Sequence, residues 1–234
     1  MTPSKPTPYQ LMQMHVRALY HHDQGSRLLS INAWHSGPAP RFFLGRTESG
    51  NLWRFRNDLP PQLCDQLNTL CQTEPSTTSD RPQHEAAYLQ ILSQHAPIKH
   101  IWLGPAYYFA NRLTAAPEPI PITPQNAYLL QGGLQDWLPD VSYQQPLVAI
   151  IVAGQAVAVC ASVRISAVAH EAGVETLPAH RQKGYATAVV SAWAAAVEQL
   201  SALPLYSTSL ENIASQKVAA RLGISKYGVD FHIT

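Results

Sequence analysis

The stretch PLVAIIVAGQAVAVCASVRIS, residues 146–166, constrains the fold more than any other part of the chain. It holds two nearly unbroken apolar runs around Gly154, each of strand length and rich in Val, Ile and Ala. A strand with one wet face alternates apolar and polar residues, so runs that do not alternate belong to strands covered on both faces. The pattern predicts a hairpin of buried strands turning at Gly154, with further layers needed to cover it.

The segments that follow supply those layers. AVAHEAGVET, residues 167–176, reads as a third strand, and residues 184–200 as an alanine-rich helix. Leu205–Ser209 is a short strand, Asn212–Leu222 a helix stopped by Gly223, and Tyr227–Ile233 a last strand. This order predicts an α/β (α+β) domain with a mixed sheet and helices packed on it.

The first half is less regular. YQLMQMHVRALYHH has apolar residues near helical spacing, and Arg41–Leu44 with Leu52–Phe55 flank a glycine-containing turn as a hairpin. DLPPQLCDQLNTLCQ starts a helix with an Asp cap and prolines in its first turn, HEAAYLQILSQH gives another, and Ile98–Leu103 gives a strand. Residues 114–125 then carry Pro117, Pro119, Pro121 and Pro124, a stiff connector. The expected organisation is a smaller α/β domain at 1–113, a linker at 114–125 and the main domain at 126–234.

Charge narrows the function. Charged residues are 13% of the 234 and the formal net charge is +1, so no broad basic field exists for nucleic acid or anionic lipid. Helix 184–200 carries only Glu198 as a charge, which argues against a nucleic-acid reader. Cys64 and Cys71 sit seven residues apart on one predicted helix, about 10.5 Å along its axis, too far to bond. With Cys160 alone elsewhere, buried thiols in a reducing cytoplasm are expected. The start, MTPSKPTPYQ, lacks the apolar core of a signal peptide, and no apolar run reaches membrane-spanning length, so neither secretion nor membrane partners are expected. The histidines, His170, His180 and His232 among them, are scattered without ligand spacing, and no metal is expected.

Within so weakly charged a chain, LPAHRQKGYATAV places Arg181, Lys183 and Gly184 directly before a helix. A helix start carries unpaired N–H groups and a partial positive charge, and a glycine there lets a bulky ligand come close to the backbone. Two basic side chains complete a compact site for a phosphate or pyrophosphate. Taken alone, the same residues are also a plain helix start with two solvated bases.

RQKGYA, Arg181–Ala186, resembles the R/Q-x-x-G-x-G/A motif of the GNAT superfamily of N-acetyltransferases, with GVETLP before it and LYSTSLENIASQKVAARLGISKYG after it matching the neighbouring strand, helix and LGI turn. The resemblance runs from about Leu147 to the C-terminus. It implies a GNAT-like fold with a mostly antiparallel central sheet, acetyl-CoA as co-substrate, and transfer to a primary amine of a small molecule or amino-acid derivative by direct attack in a ternary complex. It implies that strand 167–176 splays from strand 205–209, with Val174 and Thr176 offering backbone groups to the pantetheine arm. The backbone of Gln182, Lys183, Gly184, Tyr185, Ala186 and Thr187 would receive the pyrophosphate, Arg181 and Lys183 would add charge, and Asn212 and Ser215 would line the same wall. The N-terminal part is either a degenerate half of the same kind or a cover for the acceptor site. A homodimer is one open option.

Acyl transfer from a thioester needs a proton removed from the ammonium, the thioester oxygen stabilised and the thiolate protonated. Glu171 is the candidate base, although an ion pair with Arg164 would equally account for it. The tyrosine that the family often places four residues before the glycine of LGI is here Ala219, which leaves Tyr227, Ser215 or water to protonate the thiolate. That departure motivates the alternative of a non-catalytic acyl-CoA-binding or sensing module.

Overall fold

The computed structural model describes residues 5–79, 81–110 and 118–234; residues 114–117 of the predicted linker, Pro117 included, lie outside the described residues. The elements are α1 (Pro8–Leu19), β1 (Tyr20–His22), β2 (Leu28–Ile31), β3 (Phe42–Thr47), β4 (Gly50–Phe55), α2 (Pro61–Thr73), α3 (Glu85–Ser93) and β5 (Ile101–Tyr108). Then come β6 (Ile120–Pro121), β7 (Leu147–Val152), β8 (Gln155–Ile165), β9 (Ala169–Thr176), α4 (Tyr185–Gln199), β10 (Leu203–Ser207), α5 (Ile213–Leu222) and β11 (Ser225–Ile233). Short 3-10 turns occupy Ala127–Leu130, Gln135–Asp140 and Pro178–His180. The chain divides into two compact units, Met1–Tyr107 with Ser207–Ile213 and Lys226–Thr234, and Tyr108–Tyr206 with Ala214–Ser225.

In the first unit the strands run in the order β4-β3-β11-β5. β3 is antiparallel to both neighbours, from Phe42↔Phe55 on one side and Ile233↔Phe42 on the other. Phe42, Leu44, Phe231 and Ile233 bury one face against Leu63, Leu67, Tyr88 and Leu92 of α2 and α3. α1 covers the opposite face, where Gly45 and Gly228 admit the Met12 side chain; a Cβ at either position would strike it. With both faces covered, all six residues of β3 are buried, Arg46 and Thr47 included.

Helix starts in this unit follow side-chain chemistry. α1 has a full capping box between Thr7 and Gln10. The expected Asp cap of α2 does not form: the cap position is Pro60, and both oxygens of Asp58 accept from Arg56 at 2.7 and 2.9 Å. α3 has no side-chain cap of its own. The buried Glu74 carboxylate serves instead, accepting from the Gln83 amide at 2.7 Å, the His84 amide at 3.1 Å and the Tyr88 hydroxyl at 3.1 Å. The Arg46 guanidinium lies 3.9 Å from it, with both side chains fully buried.

The second unit has the strand order β10-β9-β8-β7-β6. β7 and β8 form the hairpin predicted at Gly154, whose φ of 79° a glycine takes without strain. β8 is buried from Ala156 to Ser162, because Val159 and Ala161 pack with Leu130, Leu134 and Val141 on one side while α4 packs on the other. The result is the mixed architecture expected, a mostly antiparallel sheet with flanking helices and a smaller α/β region formed by N-terminal strands and helices. β1, β2 and β6 were not expected from the sequence, being two to four residues long with no alternation to read. β5 continues to Tyr108, past the predicted end at Leu103.

Candidate active site

β9 is held by β8 along its whole length, from Ile165↔His170 to Ala158↔Thr176. β10 follows it in parallel only through Leu203↔Ala169, Pro204↔His170 and Leu205↔Glu171. Beyond Glu171, β9 runs on for five residues without β10 beside it. The amide of Leu177 donates to the Val157 carbonyl at 3.0 Å, which fixes the alternation of the strand. The amides and carbonyls of Val174 and Thr176 therefore face the opposite edge, where the β10 ladder has ended. The Thr176 carbonyl accepts from Arg181 Nε at 3.2 Å. Among the described residues, that edge still presents the Val174 amide and carbonyl and the Thr176 amide.

After β9 the chain turns through Pro178–His180 into α4. Gln182 and Gly184 both take positive φ, 63° and 83°, and Gly184 is the residue before the helix, with no side-chain cap. Among the described residues, nothing accepts the backbone amides of Gly184, Tyr185, Ala186 or Thr187; the first bond of the helix is Ala188 N–H to the Gly184 carbonyl. Left-handed residues before a helix start turn successive amides toward one concavity, which suits an anion. A Cβ built on Gly184 would meet nothing within 4 Å. Gln182, Lys183 and Arg181 are exposed there, and His180 stacks on Tyr185 with centroids 6.3 Å apart. Thr176 Oγ1 and His180 Nδ1, both buried and without a hydrogen-bond partner, flank the turn. Open amides, two cationic side chains and orphaned polar atoms fit the diphosphate and amide chemistry of a coenzyme A.

Glu171 sits where the β9 and β10 ladder ends and is 2% exposed. It stands opposite Arg164 across β8 and β9, beside a register shift that inserts an extra residue in β8. Side chains at opposite positions leave the same face about 5 Å apart, so a charge interaction with Arg164 and a role in proton transfer are compatible. Next to it, Ser162 Oγ lies 2.9 Å from His170 Nδ1 and accepts from Trp193 Nε1 at 3.0 Å. Burial holds the His170 imidazole below its ordinary pKa. This network ties β8, β9 and α4 together at the level of the split. Trp137 donates to Glu175 at 2.7 Å and covers β9 at Gly173, where a side chain would collide with Val163. Neither set was legible in advance, because each joins residues far apart in sequence.

Ser215, on α5, has its hydroxyl 2.6 Å from that of Tyr206, the first β10 residue beyond the ladder. Tyr206 was not singled out from the sequence; an isolated aromatic in a short strand reads as core. Ala219, four residues after Ser215, is fully buried on the same stripe of α5. Asn212 immediately precedes α5 and its amide donates to the Ser209 carbonyl at 3.1 Å. Asn212 and Tyr227 both belong to the first unit; Tyr227, on β11, is 2% exposed and meets the His15 ring edge-on at 6.3 Å. Among the described residues no group of three or more His, Cys, Asp or Glu is placed to hold a metal ion, and no helix is long and apolar enough to cross a membrane.

The family model "GNAT acetyltransferase" matches residues 148–228. No curated protein matches the chain. Among solved structures, a protein from Novosphingobium aromaticivorans described as from the GNAT family aligns at a TM-score of 0.50 with 14% identity, over 58% of this chain and 65% of its own. An acetyltransferase from the GNAT family of Colwellia psychrerythraea aligns at 0.45 with 14% identity, over 91% and 84%. A GCN5-related N-acetyltransferase-like protein from Streptococcus suis aligns at 0.48 with 14% identity, over 84% and 85%. This chain thus spans 65% of the length of the Novosphingobium protein, and that likeness is one of fold. The C-terminal part of the chain, residues 148–228, thus matches the GNAT acetyltransferase domain.

Proposed function

We propose that the chain is an acetyl-CoA-dependent N-acetyltransferase acting on a primary amine of a small molecule or amino-acid derivative. The observation that carries this reading is the end of the β10 ladder at Glu171, which opens one edge of β9 beside the uncapped start of α4. The co-substrate supplies an acetyl group already activated as a thioester. Val174 and Thr176 would pair with its amide-bearing arm through the backbone groups on the open edge. The amides of Gln182, Lys183, Gly184, Tyr185, Ala186 and Thr187 would take its diphosphate, with Arg181 and Lys183 adding charge. Arg181 reaches the Thr176 carbonyl and so also braces the turn against β9.

The reacting amine must lose a proton, and Glu171, at the point of the split, is the residue proposed to take it, directly or through a water. The Val174 amide is proposed to stabilise the thioester oxygen as charge grows on it. The paired hydroxyls of Ser215 on α5 and Tyr206 on β10 are proposed to return the proton to sulfur, a role Ala219 has no side chain to fill. A low and balanced charge favours a small neutral-to-anionic amine over a basic peptide, and neither nucleic acid nor membrane is a proposed partner. The cytoplasm is the proposed location, and a homodimer remains an option.

Ala219 is the observation that favours a second reading, a module that binds or senses acyl-CoA without turnover. A panel of amines incubated with acetyl-CoA, with free thiol as readout, separates the two. Steady thiol release with one class of amine supports the enzyme; tight acetyl-CoA binding without release from any amine supports the sensor; no binding overturns both.

A further inference from the structure

Glu171 shares its face of β9 with a bare stretch of backbone. Side chains alternate along a strand, so Glu171, Gly173 and Glu175 leave β9 on one side and Ala172, Val174 and Thr176 on the other. The register agrees. Gly173 stands opposite Ala161 and Glu175 opposite Val159, and both partners belong to the apolar cluster of Leu130, Leu134 and Val141, which Trp137 joins. α4 covers the other face, where Ser162, opposite Ala172, accepts from Trp193. The row that starts at the proposed base is therefore Glu171, a glycine and Glu175, at intervals of about 7 Å.

Trp137 fills the gap that the glycine leaves. A Cβ at Gly173 would lie 3.3 Å from Trp137 Cη2, and Val163, the residue that the register shift adds to β8, closes on the same spot. At the other end of the indole, Nε1 donates to Glu175 Oε2 at 2.7 Å. The ring is thus held at two points against β9, and it is half-buried rather than enclosed. With no side chain at position 173, nothing on β9 itself stands between the indole and Glu171.

The acyl-transfer reading above, on which this inference rests, puts the amine nitrogen at Glu171 and the thioester oxygen at the Val174 amide. Gly173 lies between the two. In the other direction along the same face stands Ala169, which is fully buried, so the rest of the acceptor extends toward Gly173. Glu171 is itself 2% exposed, and a group that reaches it leaves water. A polar substituent would lose its hydration there, because neither the Val163 side chain nor the indole ring carbons replace a hydrogen bond. An apolar substituent gains by the same transfer, and a flat one gains most against an aromatic ring. We propose that Trp137, laid on Gly173 and anchored by Glu175, is the wall of the acceptor site and selects primary amines with an aromatic or branched apolar substituent over small polar ones.

The test reads binding and turnover separately. The full chain, isotopically labelled at tryptophan, is titrated with benzylamine and in a second series with ethanolamine, and the Trp137 indole N–H signal is assigned from the Trp137→Phe spectrum. That signal should move saturably with benzylamine, at concentrations at least about tenfold below those that ethanolamine needs. In thiol-release assays Trp137→Ala should raise the KM for benzylamine about tenfold while the KM for acetyl-CoA stays within about twofold, and Trp137→Phe, which keeps a flat ring, should retain the preference. A signal that moves with benzylamine although no amine releases thiol keeps the wall and overturns the transferase reading. Thiol release with the same ranking of amines in Trp137→Ala overturns the wall and keeps the transferase. An indole signal that neither amine moves overturns the wall whatever the turnover. Should Trp137→Ala fail to fold, the indole titration of the unaltered chain and the ranking by Trp137→Phe decide.

Discussion

Gly184→Ala and Gly184→Glu separate the two things a glycine does at the mouth of α4. Its φ of 83° is left-handed, which costs a side-chain-bearing residue about 1 kcal/mol. A Cβ there meets nothing within 4 Å, so no steric term with the protein adds to that. Both variants should therefore lower thermal stability alike, by about 2–4 °C. They should part company on acetyl-CoA. A carboxylate about 5 Å from a phosphate charge costs about 3 kcal/mol at an effective dielectric of about 20, and the diphosphate carries more than one charge. Gly184→Glu should then weaken acetyl-CoA binding by at least about a hundredfold, while Gly184→Ala, which only shortens the approach to the amides, loses far less. Calorimetric titration of the three proteins, with melting curves in parallel, measures both effects. If Gly184→Glu bound acetyl-CoA as tightly as Gly184→Ala, the diphosphate would not lie on these amides and the proposed cofactor site would fall.

Glu171→Gln should slow turnover by about a hundredfold or more while leaving acetyl-CoA affinity nearly unchanged, checked by thiol-release kinetics beside calorimetry; equal turnover removes Glu171 from the reaction. Glu74→Ala removes the carboxylate beside buried Arg46, which keeps its bonds to Ser79, and leaves the Gln83 and His84 amides and the Tyr88 hydroxyl without their acceptor; it should cost about 3 kcal/mol in denaturant unfolding, and a loss under about 1 kcal/mol would show that this carboxylate does not hold the start of α3. Burial alone would raise the Asp230 carboxyl, but charge on His232 and hydrogen bonds from His232 at 2.9 Å and His15 at 3.3 Å outweigh it and hold the pKa at about 2. A depressed carboxylate stabilises the fold above its unfolded value, so roughly 2 kcal/mol should be lost as the pH falls from about 4 to about 2, and Asp230→Asn should flatten that part of the curve.

The sequence by itself determined the elements that carry their own period or punctuation. The β7 and β8 hairpin, α4 and α5 were legible because unbroken apolar runs, an Ala-rich helix and a stopping glycine are local signals. The basic turn before α4 was legible for the same reason: Arg181, Lys183 and Gly184 stand together in sequence directly before the helix. The cap of α2 was misjudged because Asp58 had a better partner in Arg56, a contest that local pattern does not decide. What only the tertiary structure decided is which residues meet across distance. The ladder that stops at Glu171, the hydroxyl pair of Tyr206 and Ser215, and the Ser162, His170 and Trp193 network each join separate elements. Strand pairing and burial set those distances, and no residue's identity encodes its neighbours across a sheet.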